Sequence, residues 1–168
     1  MQHTALNIIQ IAFGDFEQEL KQTRRLLAAI PDGHLDWRPH EKSYTLGGLA
    51  QHVAQMPGLV VSIIRDDQLD FATVPRIEKP NSVQDILSIF DESAAAARAA
   101  FSELTEDHLT RTWKFLYHGK ELFTRPKAGL IRDFFLSHMI HHRAQLTVYI
   151  RLLGSPVPGL YGPSADEM

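Results

Sequence analysis

The chain has 168 residues and no cysteine, which removes disulfide frameworks, thiolate metal sites and cysteine nucleophiles together. A formal charge of -3 leaves no basic stripe for a phosphate backbone, so nucleic acid is not an expected partner. The length suits one domain with a single core, and nine histidines are the compositional outlier.

The start, MQHTALNIIQIAFGDF, lacks the basic region, apolar block and small-residue cleavage site of a signal peptide. The longest apolar runs, such as GLVVSII, fall short of the roughly 20 residues that span a bilayer. A soluble cytoplasmic protein with no membrane partner is therefore expected.

Apolar residues at spacings of three and four (Leu6, Ile9, Phe13, Phe16, Leu20, Leu27, Ile30) predict a first helix over residues 3 to 30, stopped by PDG. Thr45 offers an N-cap to a second, with Leu49, Val53, Met56, Val60 and Ile63 on one face. Pro57 and Gly58 lie inside it and predict a kink or break near Gln55. DDQLDFATVPRIEKPN reads as a polar linker. Ser82 with Asp85 resembles a capping box for a third helix that ends near Leu104 and carries AAAARAA, whose alanines suit close helix packing. The segment 112 to 124 admits a short hairpin or an irregular loop. A last helix is expected from about Ala128 to Leu153, before Gly154 and Pro156. Four such helices in one domain make the expected class all-α, an antiparallel four-helix bundle with long connecting loops.

The last helix contains LSHMIHHRAQ, with histidines at 138, 141 and 142. Advancing about 100° per residue from Ile131 puts Phe135, His138, His142, Leu146, Tyr149 and Leu153 within roughly 60° of it. His138 and His142 are then expected at the centre of the apolar stripe, with His141 at its edge. Imidazoles at i and i+4 can share a metal ion, and they can equally be core histidines hydrogen-bonded to carbonyls or water. The zinc-protease form HExxH is excluded because residue 139 is Met. His52, on the flank of the second helix, can supply a third nitrogen. His52, His138 and His142 would together hold a divalent ion such as Zn²⁺ or Ni²⁺ and leave positions open for water or substrate.

The remaining histidines, His34, His40, His108, His118 and His3, read as solvated. Trp37 and Trp113 read as packing under loops. Asp15, Glu17 and Glu19 look like a solvated face of the first helix. Arg143 points away from the paired histidines and is expected to pair with an acidic residue on a neighbouring helix, Asp15 being one choice. Gln145 and Tyr149 lie near the histidine face, where core-edge packing is the plain reading. No general base is identifiable.

WRPHEKSYTLGGLAQHVAQMPG (37 to 58), LSHMIHHRAQLTVYIRLLG (136 to 154) and VPGLYGPSADE (157 to 167) resemble the DinB-like (DinB/YfiT) superfamily of bacterial metal-binding four-helix bundles. The resemblance covers essentially the whole chain. That pattern has a histidine early in the second helix and H-x-x-x-H-R-G-Q in the last, matched here by His52, His138, His142, Arg143 and Gln145, with Ala144 where glycine is common. The resemblance implies a three-histidine metal site and a hydrolase or thiol-dependent transferase acting on a small molecule, with a low-molecular-weight thiol as one cosubstrate. It also implies a homodimer. The competing expectation is a non-catalytic dimeric protein in which the metal only braces the bundle.

Overall fold

The period over residues 3 to 30 breaks at Gly14 and Asp15 into two helices, α1 (Ile8–Phe13) and α2 (Phe16–Leu27). The structure, a computed structural model, describes residues 7–76 and 78–168, so His3 and Leu6 lie outside the described residues. Asn7 and Gln10 cap the start of α1 reciprocally. Phe13, Phe16, Leu20 and Leu27 turn inward from the two helices, as their spacing requires.

The second long helix, α3 (Leu46–Arg65), begins where Thr45 Oγ1 accepts the backbone N–H of Gly48 at 3.1 Å. Leu49, Val53, Met56, Val60 and Ile63 are all buried. The expected break near Gln55 is absent, and α3 runs continuously through Pro57. Proline removes one N–H from the helical ladder, but the turns around Pro57 are buried on the neighbouring helix, and that packing outweighs the lost bond. This neighbour, α4 (Val83–Ser102), starts with the expected capping box, Ser82 and Asp85 each accepting the other's backbone N–H at 3.1 Å. Ala94, Ala97 and Ala100 are buried within this chain's own core, so their small size is used there.

The polar linker contains structure. Its strand β1 (Gln68–Asp70) runs into a single 3₁₀ turn, Phe71–Thr73. After the short helix α5 (Glu106–Thr110), strands β2 (Thr112–Tyr117) and β3 (Lys120–Pro126) form a hairpin. Its two-residue turn is His118-Gly119, with φ of 50° and 74°, the conformation that matches the twist of paired strands. β1 pairs parallel to β2, giving a sheet of order β1-β2-β3. The all-α expectation is thereby corrected: the fold is helix-rich and carries a three-stranded sheet. The cause is local, since Phe115 and Phe123 face each other across the strands at 5.3 Å and both pack on Phe134.

The final helical stretch begins with one turn, α6 (Lys127–Gly129), passes through a π-helical segment (Leu130–Ser137) and continues as α7 (His138–Leu152). Buried Lys127 closes the end of α3 by donating to the carbonyls of Ile64 (3.1 Å) and Asp66 (2.7 Å). In the core, α3 packs between α4 and α7, and α2 lies against the same two helices. Among the described residues, no helix is long and apolar enough to cross a membrane.

Candidate metal centre

The π-helical segment changes where the last helix points its side chains. Ile131, Phe135, Met139 and Arg143 are all buried, at steps of four. An α-helix at 3.6 residues per turn would carry such a row steadily off one face, and the wider i→i+5 turns absorb the difference. A uniform 100° step from Ile131 therefore misplaces the stripe. Its centre in α7 is Met139, Arg143, Leu146 and Ile150, and His138 and His142 stand half-buried on its flank rather than at its middle.

That flank faces α3. His52, His138 and His142 come together with one nitrogen of each within 4.8 Å of the others, close enough for one cation to be shared. Ring centroids lie 5.4 Å (His52–His138), 4.7 Å (His52–His142) and 4.6 Å (His138–His142) apart. The Nε2 atoms of His138 and His142 are 2.8 Å apart, and Nδ1 of His142 is 2.7 Å from Oε1 of Gln145. With the Nδ1 proton donated to Gln145, His142 presents the lone pair of Nε2 to His138. Gln145 thus orients an imidazole, a role beyond core-edge packing. Tyr44 stacks on His52 at 6.2 Å and Phe134 on His138 at 6.0 Å, walling the rings on two sides.

The electrostatics suit a cation and disfavour protons. Burial, then the proximity of His142 and His138, pushes the His52 pKa down to about 4. Burial and His142 also lower that of His138, against the opposing effect of the Phe134 carbonyl. Nδ1 of His138 is buried and makes no well-aligned hydrogen bond among the described residues, although the Phe134 carbonyl one turn back acts on the ring. Neutral imidazoles with converging lone pairs form a donor set that a divalent cation satisfies. No fourth His, Asp or Glu joins the three among the described residues.

A pH dependence follows. A His whose pKa is lower folded than unfolded binds fewer protons when folded, so its stabilising contribution is present above pH about 6.5 and is lost toward pH about 4. Metal-free protein should lose denaturant stability between pH 7 and 5, above the range where ion-paired carboxylates titrate. His52→Gln should flatten that interval, and a profile identical to wild type would refute the assignment.

The other expected site residues divide. His141, His34, His40 and His118 are exposed, and His108 is half-buried beside Thr105. Trp113 is fully buried, and Trp37 packs edge-on to Tyr149 at 5.8 Å. Arg143 does pair across helices, but its partner is Glu19 on α2 at 2.6 Å, while Asp15 pairs with Arg132 at 2.7 Å. Glu19 is therefore buried, contrary to its reading as a solvated residue. Arg143 also donates to the Glu19 carbonyl and to Thr23 Oγ1, both at 3.0 Å, and contacts the Tyr161 hydroxyl. Tyr161 in turn donates to Glu19 at 2.8 Å. The terminal segment is held by Asp166 on Arg151 and Glu167 on Arg25, each at 2.6 Å. Tyr161 is the member of this network that sequence reasoning missed, although it lies in the distinctive YGPSADE stretch.

Comparison with known proteins gives a consistent answer. The model of the DinB family matches residues 1–168. The uncharacterized protein YrdA of Bacillus subtilis is 30% identical over 153 residues, covering 90% of this chain and 87% of YrdA. Two crystal structures share the fold. A DinB-like protein from Bacillus cereus superposes with a TM-score of 0.70 at 24% identity, covering 91% of this chain and 97% of that one. A DinB-like protein from Bacillus subtilis superposes with a TM-score of 0.71 at 21% identity, covering 89% and 97%.

Proposed function

This chain belongs to the DinB family, and we propose that it is a metal-dependent enzyme acting on a small molecule, a hydrolase or a thiol-dependent transferase. The observation that carries this reading is the convergence of His52, His138 and His142 without a fourth protein ligand among the described residues. Structural zinc sites are closed by four protein ligands, whereas three leave a position for a reactant.

His52, His138 and His142 would hold Zn²⁺, Ni²⁺ or a similar divalent ion. A cation held by neutral ligands keeps its full charge and supplies acidification of a nearby water or thiol nucleophile near neutral pH. The chain's own residues do the rest. Burial keeps His52 and His138 unprotonated, Gln145 fixes the ring of His142, and the rings of Tyr44 and Phe134 narrow solvent access. His141 stands beside His142 with ring centroids 5.0 Å apart, and it, a substrate group or solvent would take the proton.

The alternative is a brace. The three histidines join α3 to α7, and a cation there would staple two helices with no chemistry attached. Contact of α3 with α7, and of α2 with α4 and α7, supports reading the helical part as a four-helix bundle that such a staple would stiffen. Homodimerisation and a cytoplasmic setting remain part of the proposal, with exposed Val148 and Leu152 one turn apart on α7 as apolar surface for a second copy. The coordination sphere separates enzyme from brace. X-ray absorption of the metal-loaded protein should count three imidazoles plus an exchangeable oxygen, replaced by sulfur when a low-molecular-weight thiol is added. Four protein ligands unaffected by thiol would favour the brace.

A further inference from the structure

A second concavity lies along α3, beside the turn that carries His52 but outside the histidine cluster. It encloses about 420 Å³, within the range of small-molecule sites, between Gln51 and Gln55 of α3, the segment 71–76 and the hairpin turn at Tyr117 and His118. Three of its walls are large apolar side chains left open to solvent: Phe71 at 57%, Val74 at 40% and Tyr117 at 48% exposure. Single exposed apolar residues need no explanation, but three converging on one cleft mark a surface that something covers.

The charged side chain that lines the cleft is an arginine, while the nearby Asp70 carboxylate is engaged by backbone N–H groups behind the wall. No carboxylate lines it, and Arg76 reaches its rim with no ion-pair partner among the described residues. Arg24, Arg65, Arg98 and Arg151 are each tied to a carboxylate, whereas Arg38 and Arg111 share with Arg76 the lack of an ion pair among the described residues. Arg76 is thus a guanidinium left for an external anion, the group it is best shaped to hold.

The walls are fastened in place. The Asp70 carboxylate accepts the backbone N–H groups of Ala72 (3.0 Å), His118 (3.0 Å) and Gly119 (2.6 Å), joining the 3₁₀ turn to the hairpin turn. These bonds, that from Gly119 foremost, hold the Asp70 pKa below the usual carboxylate range. On α3, Gln51 donates to the Glu78 carbonyl at 2.7 Å. A wall fastened in this way loses little entropy when the cleft fills.

We propose that this cleft binds a small organic anion with an apolar body, the simplest example being an aromatic carboxylate. The body lies between Phe71, Val74 and Tyr117, and the carboxylate meets Arg76, with His118 and Gln55 offering further polar contacts. The inference goes beyond the metal reading and does not depend on it, because binding can be followed on metal-stripped protein.

The test uses phenylacetate and its neutral counterpart phenylacetamide as probes on the chelator-treated full chain, followed by amide chemical shifts and calorimetry. Phenylacetate should bind saturably and shift the amides of Phe71, Ala72, Tyr117 and His118. Arg76→Gln should weaken phenylacetate about tenfold, as expected for losing one charge-assisted hydrogen bond, and leave phenylacetamide unchanged. Phe71→Ser should weaken both probes. Because Arg76 and Phe71 are exposed, folding is expected to persist, and the amide spectrum reports it directly. Shifts confined to other surfaces, absence of saturation, or equal phenylacetate affinity in Arg76→Gln and wild type would overturn the proposal.

Discussion

Replacing Arg143 with Met is expected to lower the stability of the chain by about 3–5 kcal/mol, the penalty for leaving a buried ionic partner alone. Both side chains of the Arg143–Glu19 pair are within 5% of complete burial. The substitution leaves the Glu19 carboxylate with the Tyr161 hydroxyl but no counter-charge, and frees the Glu19 carbonyl and Thr23 hydroxyl that Arg143 serves. At roughly 2–4 °C per kcal/mol for a domain of this size, the melting temperature should fall by about 10 °C. The intact pair itself contributes far less than this loss suggests, because its attraction is largely offset by desolvation. Arg143→Met combined with Glu19→Leu should therefore recover much of the stability. Metal content should persist in Arg143→Met, since the guanidinium points to α2 and the imidazoles face α3. A drop below 1 kcal/mol, or loss of metal at unchanged stability, would contradict this division of labour.

The second large effect concerns the cation. A ligand that binds only the folded state stabilises it by about 2.7 kcal/mol at a hundredfold excess over its dissociation constant. For this chain that is about 5–10 °C in melting temperature, removed by chelation and restored by Zn²⁺ or Ni²⁺. His52→Ala, His138→Ala and His142→Ala should each abolish the increment. In metal-free protein the same substitutions should cost about 1 kcal/mol, the order of the one hydrogen bond between His138 and His142. That contrast distinguishes ligands from core histidines, whose removal would be felt with or without metal.

Much of this arrangement is legible in the chain. Thr45 and the Ser82–Asp85 pair mark helix starts because capping is a local bond between neighbours in sequence. His52, His138 and His142 could be brought together on paper because a helical face is a matter of spacing. The sheet was half legible: the His-Gly turn favours a hairpin, but nothing in QLD announces a strand that pairs only by meeting Lys114, Phe115 and Leu116 far along the chain. The π-helical segment left no readable signal, since spacings of four resemble an ordinary amphipathic stripe until burial shows that all of them face inward. Its effect reaches the candidate site, because it sends Arg143 into the core and sets the histidines on the flank where α3 meets them. Glu19 and Tyr161 were invisible for a related reason. Each is polar in a stretch that reads as surface, and only the fold brings them to Arg143.

If three histidines from two helices hold one divalent cation, elemental analysis of protein purified without a histidine tag, wild type beside His138→Ala, reads it out. We expect close to one equivalent of a divalent transition metal per chain in the wild type and little in the variant. No stoichiometric metal in the wild type, with His138→Ala indistinguishable from it, would contradict the account.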